Sequence, residues 1–206
     1  IPVRGGNRDY TVTVQNTDVL SIDIDLSSPI DMGNLVVKPK QKGETTITVK
    51  DNVTNETVDL KIKIVDSYLN LKVAHPAQVP YTGGENLFFI NNSDRDFYLF
   101  DEKMEKKECT GNYQFLIKNS TCYMILNFDK ELNDKRTYEY NISNTSERMF
   151  TLIEILLGID WNMKADLINR STRSASPVTM NAVDTETNII QYFVAGSNDI
   201  PENILD

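Results

Sequence analysis

The chain has 206 residues, with an apolar fraction of 40% and a charged fraction of 25%, which are ordinary values for a globular protein. Its formal net charge of −9 argues against a nucleic-acid partner, because phosphate binding requires a basic surface. No stretch approaches the roughly 18 uncharged apolar residues of a membrane-spanning helix. The best candidate, Met149–Leu157, contains Glu154. We therefore expect a chain that does not span a membrane and is long enough for two small domains.

The first residues, Ile1 to Gly6, lack the charged start and the apolar run of a signal peptide. Because residue 1 is not Met, we expect that an upstream segment has been removed. We expect this segment to be a secretion signal.

The next part of the chain alternates apolar and polar residues with a period of two. Such alternation predicts strands that bury one face and expose the other. Short clusters rich in Asn, Asp and Gly separate the runs, at the spacing of a β-sandwich. The strand-like runs are Thr11–Val14, Leu20–Leu26, Thr46–Lys50 and Val58–Ile64.

Three motifs in this region occur in a familiar order. A Gly-Asn opening leads into "YTV" at Gly5–Val12, a short polar stretch ending in valine follows at Asn16–Val19, and "KGETTITV" lies at Lys42–Val49. In this order and spacing, residues 1–66 resemble the bacterial Ig-like (Big) domain family. The resemblance implies an Ig-like β-sandwich with no catalytic residues, located outside the cytoplasm in adhesins, lipoproteins or carbohydrate-handling surface proteins. A lipid anchor upstream of residue 1 is compatible with that location.

Residues 67–80 are predicted to be a connector. This stretch carries Pro76 and Pro80 and the only histidine, His75. The residue before a proline favours an extended backbone, so the connector should be stiff. Within it, Leu69, Leu71 and Val73 alternate and could supply one strand.

Residues 81–206 are predicted to form an α+β domain of antiparallel hairpins and one main helix. Aromatic residues are concentrated here, and polar turns separate the strand-like runs. The predicted fold class of the whole chain is therefore mostly β with some α. The domain resembles, only loosely, second domains of secreted Gram-negative surface lipoproteins, and that resemblance assigns no residue a role. The predicted strands are Asn86–Asn91, Asp96–Phe100, Tyr113–Ile117, Tyr123–Phe128, Arg136–Ile142, Val178–Val183 and Asn188–Val194.

The helix is predicted between Asn144 and Trp161. Asn144 or Ser146 can serve as the N-cap, with Glu147 placed to close a capping box from Asn144. Apolar residues from Met149 to Leu157 follow helical spacing, and Gly158 suits the position after the helix. The alternation of Ile153, Ile155 and Leu157 leaves a strand as the alternative.

The two cysteines, Cys109 and Cys122, are predicted to be free thiols rather than a disulfide. A turn at Lys118–Thr121 places Cys122 opposite Ile117. A second turn, assumed at Thr110–Asn112, would place Cys109 opposite Tyr113. The separation would then be about 13 Å, beyond the reach of about 7 Å for a bridge. A disulfide remains the alternative.

The sequence carries little catalytic chemistry, and we expect no enzyme, cofactor or metal. A lone histidine and the absence of a nucleophile motif exclude most acid–base and metal schemes. A glycosidase needs two carboxylates, and Asp94 with Asp96, or Glu154 with Asp160, are the candidates. A calcium site at Asp23, Asp25 and Asp31 lacks the D-x-D-x-D-G loop. We expect all these acids to be solvated surface residues.

The candidate binding residues are aromatic. Tyr81, Phe97 and Tyr113 lie nearest to predicted turns and are expected to be exposed, and Trp161 could stack on a sugar ring. The alternative is that these rings belong to the core. We therefore expect an extracytoplasmic binding or adhesion protein, in which an Ig-like spacer presents a second domain to a glycan or another surface protein. The alternatives are a carbohydrate-active accessory protein or weak glycosidase, and a structural subunit whose strand edge pairs with a partner.

Overall fold

A computed structural model of the protein describes residues 1–27, 32–159, 178–197, 199–201 and 204–205. The chain divides into two compact units, Ile1–Val65 and Asp66–Asp206. Fourteen strands and one helix lie in the described residues, so the predicted fold class, mostly β with some α, is confirmed.

The N-terminal unit contains two antiparallel three-stranded sheets, as its alternating sequence predicts. One sheet has the strand order β1-β4-β3 and the other β2-β5-β6. Among the described residues of this unit, the buried apolar side chains are few: Val19, Leu20, Leu35 and Ile47. The family resemblance of this unit stays a prediction. The strands are β1 (Pro2–Val3), β2 (Tyr10–Val14), β3 (Leu20–Asp25), β4 (Gly33–Pro39), β5 (Gly43–Asp51) and β6 (Thr57–Ile64).

The second unit is a closed barrel of eight antiparallel strands, in the order β10-β11-β12-β13-β14-β7-β8-β9. All the predicted hairpins are present, but their closure into a barrel was not predicted. Closure pairs the first barrel strand with the last, with Leu71 opposite Ala195. The strands are β7 (Tyr68–Val73), β8 (Asn86–Ile90), β9 (Asp96–Phe100), β10 (Lys107–Lys118), β11 (Thr121–Leu132), β12 (Lys135–Asn141), β13 (Thr179–Asp184) and β14 (Ile190–Ala195).

Aromatic and aliphatic side chains fill the barrel. Alternate residues of each strand point inward, and an eight-stranded barrel is just wide enough for side chains to fill it. The rings touch in sequence around the interior: the centroids of Phe89 and Tyr113 are 5.1 Å apart, those of Phe97 and Phe128 are 5.0 Å apart, and those of Phe128 and Tyr138 are 5.7 Å apart. The barrel interior is therefore a packed core.

The helix α1 spans Glu147–Leu157, which confirms the predicted helix and excludes the strand alternative. Ser146 is the N-cap, and its Oγ accepts a hydrogen bond from the Met149 amide at 3.3 Å. Glu147 is thus the first residue of the helix rather than the partner of an Asn144 cap. Gly158 ends the helix in the left-handed conformation, with φ 66°. The buried face of α1 packs in the same cluster as the barrel interior.

The strand that alternation allowed within residues 67–80 is present as β7, which belongs to the barrel. One prediction about a turn is wrong. The turn assumed at Thr110–Asn112 does not form, because β10 runs straight through it. Gly111 instead allows β10 and β11 to approach closely, because a Cβ there would overlap the carbonyl oxygen of Asn127 on β11.

Both cysteines are buried thiols outside any disulfide, as predicted. Cys122 lies opposite Ile117, which confirms the turn at Lys118–Thr121. Cys109 lies opposite Leu99 on β9 and is eight residues from Ile117 along β10. This spacing is about 26 Å at the rise of an extended strand, so the thiols are farther apart than the assumed turn would place them.

Candidate functional site

The aromatic residues predicted to bind a ligand do not form a surface. Tyr81, Phe97 and Tyr113 are exposed by only 3%, 0% and 3%, so the expectation of exposure is wrong. Their proximity to turns misled the prediction, because barrel closure places each ring inside. Tyr113 donates its hydroxyl hydrogen to the Ile90 carbonyl at 3.1 Å, deep in the core. Trp161 lies outside the described residues.

One end of the barrel interior is polar. The loop between β7 and β8 carries Tyr81, whose hydroxyl interacts with that of Tyr140. Neither hydroxyl has a hydrogen bond of ordinary geometry. The Gln191 amide nitrogen donates to the Val79 carbonyl at 2.7 Å and ties the same loop to β14. Burial raises the pKa of both tyrosines, so both hydroxyls stay protonated at neutral pH.

Two buried carboxylates near this end hold turns. Glu85 accepts hydrogen bonds from the Thr82 amide, from the Thr82 hydroxyl at 2.6 Å and from the Gly83 amide at 2.7 Å. Asp184 accepts from the amides of Glu186 at 3.0 Å and Thr187 at 2.8 Å. Backbone donors thus occupy both oxygens of Glu85 and one oxygen of Asp184, and we assign both acids a structural role.

The acids considered for glycoside hydrolysis are dispersed over different elements. Asp94 is exposed in the turn between β8 and β9. Asp96 accepts a hydrogen bond from the Asn92 side chain at 2.7 Å, within the same turn. Glu154 lies on α1, and Asp160 lies outside the described residues. Asp94 and Asp96 thus belong to one surface turn, whereas the pair of Glu154 and Asp160 is described only in part.

The residues considered for calcium have other partners. Asp23 forms an ion pair with Lys38, and Asp25 accepts a hydrogen bond from the Ser27 amide at 2.9 Å. Asp31 lies outside the described residues. Within the described part of the chain, no group of three His, Cys, Asp or Glu side chains could hold a metal ion. His75 Nδ1 contacts the Pro76 carbonyl, within its own loop.

The N-terminal unit carries an open groove that the sequence prediction missed. The groove has a volume of about 380 Å³ and lies between the segment Ile1–Gly6 on one side and β6 on the other. Leu35 and Val49 form part of its lining. Val58, at 60% exposed, presents an apolar side chain to it from β6.

A carboxylate braces one end of this groove. Asp51 accepts hydrogen bonds from the Asn7 amide at 2.9 Å and the Asn7 side chain at 3.0 Å, which hold the N-terminal segment in place. The amides of Val53 and Thr54 donate to its other oxygen at 2.8 and 3.1 Å. Desolvation opposes ionisation of Asp51, but these hydrogen bonds outweigh it and lower the pKa of the carboxyl.

The edge of β6 gives this groove a second recognition element. Among the described residues, β6 pairs only with β5, and HN and CO groups of residues 58–62, beside the groove, make no further backbone hydrogen bond. Its inward side chains, Leu60, Ile62 and Ile64, are only half-buried. An edge with free amides and carbonyls beside an apolar groove can accept an added strand. The alternation in residues 58–64 predicts this strand. It does not indicate that the inward side chains of the strand are only half-buried.

The comparisons with known proteins assign no family. No protein-family model, curated protein or solved structure matches this chain. In the residues that the structure describes, no helix is long and apolar enough to cross a membrane.

Proposed function

We propose that this is a non-catalytic, extracytoplasmic binding protein that captures an extended segment of another polypeptide in the groove of its N-terminal unit. The observation that carries the proposal is the coincidence of an apolar groove of about 380 Å³ with the edge strand β6. Backbone hydrogen bonds to β6 would give affinity, and the groove would select side chains at alternate positions of the added strand.

The distribution of charge supports a polypeptide ligand of low charge. Residues 1–65 carry eight Lys or Arg against nine Asp or Glu, whereas residues 66–206 account for a net charge of −8. The charged side chains in the groove lining are Arg4, Asp51 and Glu56, one basic and two acidic. A nearly neutral unit with an apolar groove favours a partner segment whose alternate residues are apolar, rather than a polyanion.

This proposal changes the role expected for each unit. Ligand binding through Tyr81, Phe97 and Tyr113 loses its support, because all three rings are buried. The N-terminal unit becomes the recognition element rather than a spacer. Its extracytoplasmic location rests on the family resemblance of residues 1–66, and the barrel serves as the scaffold that carries the unit.

The test is a selection of short random peptides displayed on phage, using the full chain as bait. We expect enrichment of peptides with apolar residues at alternate positions. The substitution Val58→Lys places a charge in the groove and should weaken the selected peptides at least tenfold. Val53→Lys is the matched control, because Val53 is 62% exposed in the neighbouring turn and does not line the groove.

Two results would overturn the proposal. One is a selection that enriches no peptide above background. The other is a set of selected peptides that bind the Val58→Lys and Val53→Lys variants equally well. Binding would be measured by fluorescence anisotropy on synthetic peptides, and circular dichroism would confirm that both variants are folded.

A further inference from the structure

The pairing of β6 with β5 determines which backbone groups face the free edge of β6. In an antiparallel ladder, successive residues direct their amides and carbonyls alternately to one side of the strand and to the other. The Asp51 amide donates to the Glu56 carbonyl at 2.9 Å, and this pair fixes the alternation. The even-numbered residues of β6 therefore bond to β5, and the odd-numbered residues face the free edge. Within the described chain, the backbone groups of Thr57, Asp59 and Lys61 make no hydrogen bond on that side.

The side chains of β6 form an apolar inner face and a charged outer face. On the inner face, Val58 is 60% exposed beside the groove. On the outer face, Asp59 and Lys61 are both exposed. The Thr48 hydroxyl donates to one carboxylate oxygen of Asp59 at 2.6 Å, and within the described chain the Lys61 ammonium group has no ion-pair partner. The edge thus carries an acid and a base at neighbouring positions of one face.

These charges are complementary to those of a second β6 strand in one register. If two β6 strands pair antiparallel with Leu60 opposite Leu60, each Asp59 lies opposite Lys61 of the other copy. Opposite charges that face each other across a strand pair stabilise it, and like charges destabilise it. A two-fold axis at residue 59 would place Asp59 opposite Asp59, and an axis at residue 61 would place Lys61 opposite Lys61. An axis between two residues would place inner side chains opposite outer ones.

The register centred on Leu60 also matches the backbone and the apolar face. Asp59 and Lys61 direct their amides and carbonyls to the free edge, so Asp59 of one copy and Lys61 of the other can exchange both hydrogen bonds. The two-fold axis generates this pair a second time. On the inner face, Val58 would lie opposite Ile62 of the second copy, and the pairing would cover an apolar side chain that is 60% exposed in the single chain.

We infer that a second copy of this chain docks on the edge of β6, so that two β2-β5-β6 sheets join through antiparallel β6 strands. The inference rests on the proposed function, because the extended segment captured beside the groove is then β6 of the second copy. A two-fold interface uses the same surface on both copies, so association stops at the dimer. A foreign peptide that pairs with β6 competes with the second copy for the same edge.

The test is charge reversal at the two facing positions of the full chain. Sedimentation velocity over a dilution series should show a monomer–dimer equilibrium. Asp59→Lys or Lys61→Asp places like charges opposite each other twice in the interface, so each variant should weaken dimerisation at least tenfold. The double variant Asp59→Lys, Lys61→Asp restores opposite charges and should recover the dimer. Lys118→Asp, at the exposed end of β10, is the control with the same change of net charge as Lys61→Asp.

A mixture of the two single variants gives a second measurement. The Asp59→Lys chain has two bases at the facing positions, and the Lys61→Asp chain has two acids there. Each chain alone should be monomeric, whereas the mixture should form a heterodimer that native mass spectrometry identifies. Circular dichroism would confirm that each variant is folded, so a loss of dimer is assigned to the interface.

Three results would overturn the inference. The first is an unaltered chain that stays monomeric at every concentration. The second is a dimer that both single variants retain, because another surface would then hold it. The third is a folded double variant and a mixture that recover no dimer. Peptide binding to a chain that stays monomeric would still support the groove proposal, so failure of the inference is distinguishable from failure of the proposed function.

Discussion

The barrel and the N-terminal unit use the same alternating sequence pattern but bury it to different extents. In the barrel, each strand pairs on both sides, and the inward rings are almost fully buried. In the described residues of the N-terminal unit, the two separate sheets each end in edge strands, and the inward residues of β6 are only half-buried. Closure of the barrel therefore buries the inward apolar residues in a stable core. The two open sheets of the N-terminal unit leave part of their apolar surface exposed. The predictions below test this division between a scaffold and a recognition unit.

The largest effect is expected from truncation of a ring inside the barrel. Phe97 is fully buried and packs edge-to-face on Phe128 at 5.0 Å, so Phe97→Ala should lower the free energy of unfolding by about 3–5 kcal/mol. Guanidinium denaturation of the full chain, followed by near-ultraviolet circular dichroism, measures the loss. Tyr192→Ala, at a 46% exposed position of β14, is the control and should cost far less. A loss below about 1 kcal/mol for Phe97→Ala would contradict the packed interior.

A smaller effect is expected in the N-terminal core. Ile47 is fully buried in the central strand β5, and Ile47→Ala should destabilise this unit by about 2–4 kcal/mol. Because the contacts separate into two units, the barrel transition should not move. Hydrogen exchange read by mass spectrometry follows each unit separately. Faster exchange in barrel strands would mean that the two units unfold together.

The helix cap should contribute less than either core residue. The Ser146 hydroxyl accepts hydrogen bonds from the amides of Met149 at 3.3 Å and Thr179 at 3.2 Å. Ser146→Ala should therefore cost the second unit about 1 kcal/mol, measured by denaturant unfolding. Ser146→Asp keeps an acceptor at the N-terminus of α1 and should retain most of the stability. An equal loss of stability in both variants would show that the hydrogen-bond acceptor at the N-cap does not stabilise the second unit.

The smallest expected effect is a difference in pH dependence between the units. The pKa of Asp51 is lowered in the folded state, so its contribution is present above the ordinary carboxyl pKa of about 4 and is lost as pH falls through the lowered value. The buried Tyr81 and Tyr140 have raised pKa values, so the stability linked to them is present below about pH 10 and is lost as pH rises further.

Unfolding midpoints measured across pH would reveal this difference. We expect the N-terminal unit to weaken first in acid and the barrel to weaken first in alkali. Asp51→Asn should reduce the acid dependence of the N-terminal unit, with Asp9→Asn as the control at an exposed acid of the same unit. An unchanged acid profile in Asp51→Asn would assign the dependence to other carboxyls.

Local features of the fold were predictable from sequence, whereas features that depend on distant pairing were not. The β10–β11 turn follows from Lys118–Thr121, and the helix end follows from Gly158, because each depends on neighbouring residues. Barrel closure depends on β7 pairing with β14, more than a hundred residues later, and no local signal specifies it. Because the sequence carries no local signal for barrel closure, the exposure of Tyr81, Phe97 and Tyr113 was also predicted wrongly. A ring near a turn is exposed in an open hairpin but enclosed in a barrel.

The closure of β14 on β7 also constrains how the protein is made. As the chain is synthesised, β7 appears early and pairs with β8, but its other edge has no partner until residues 190–195 emerge. During that interval β7 presents unpaired amides and carbonyls together with the apolar side chains of Leu69, Leu71 and Val73. Pairing over so long a sequence separation is slow, and an exposed strand edge promotes aggregation. Chains that stop before β14 should therefore aggregate, and a chaperone that shields the β7 edge during synthesis should increase the yield.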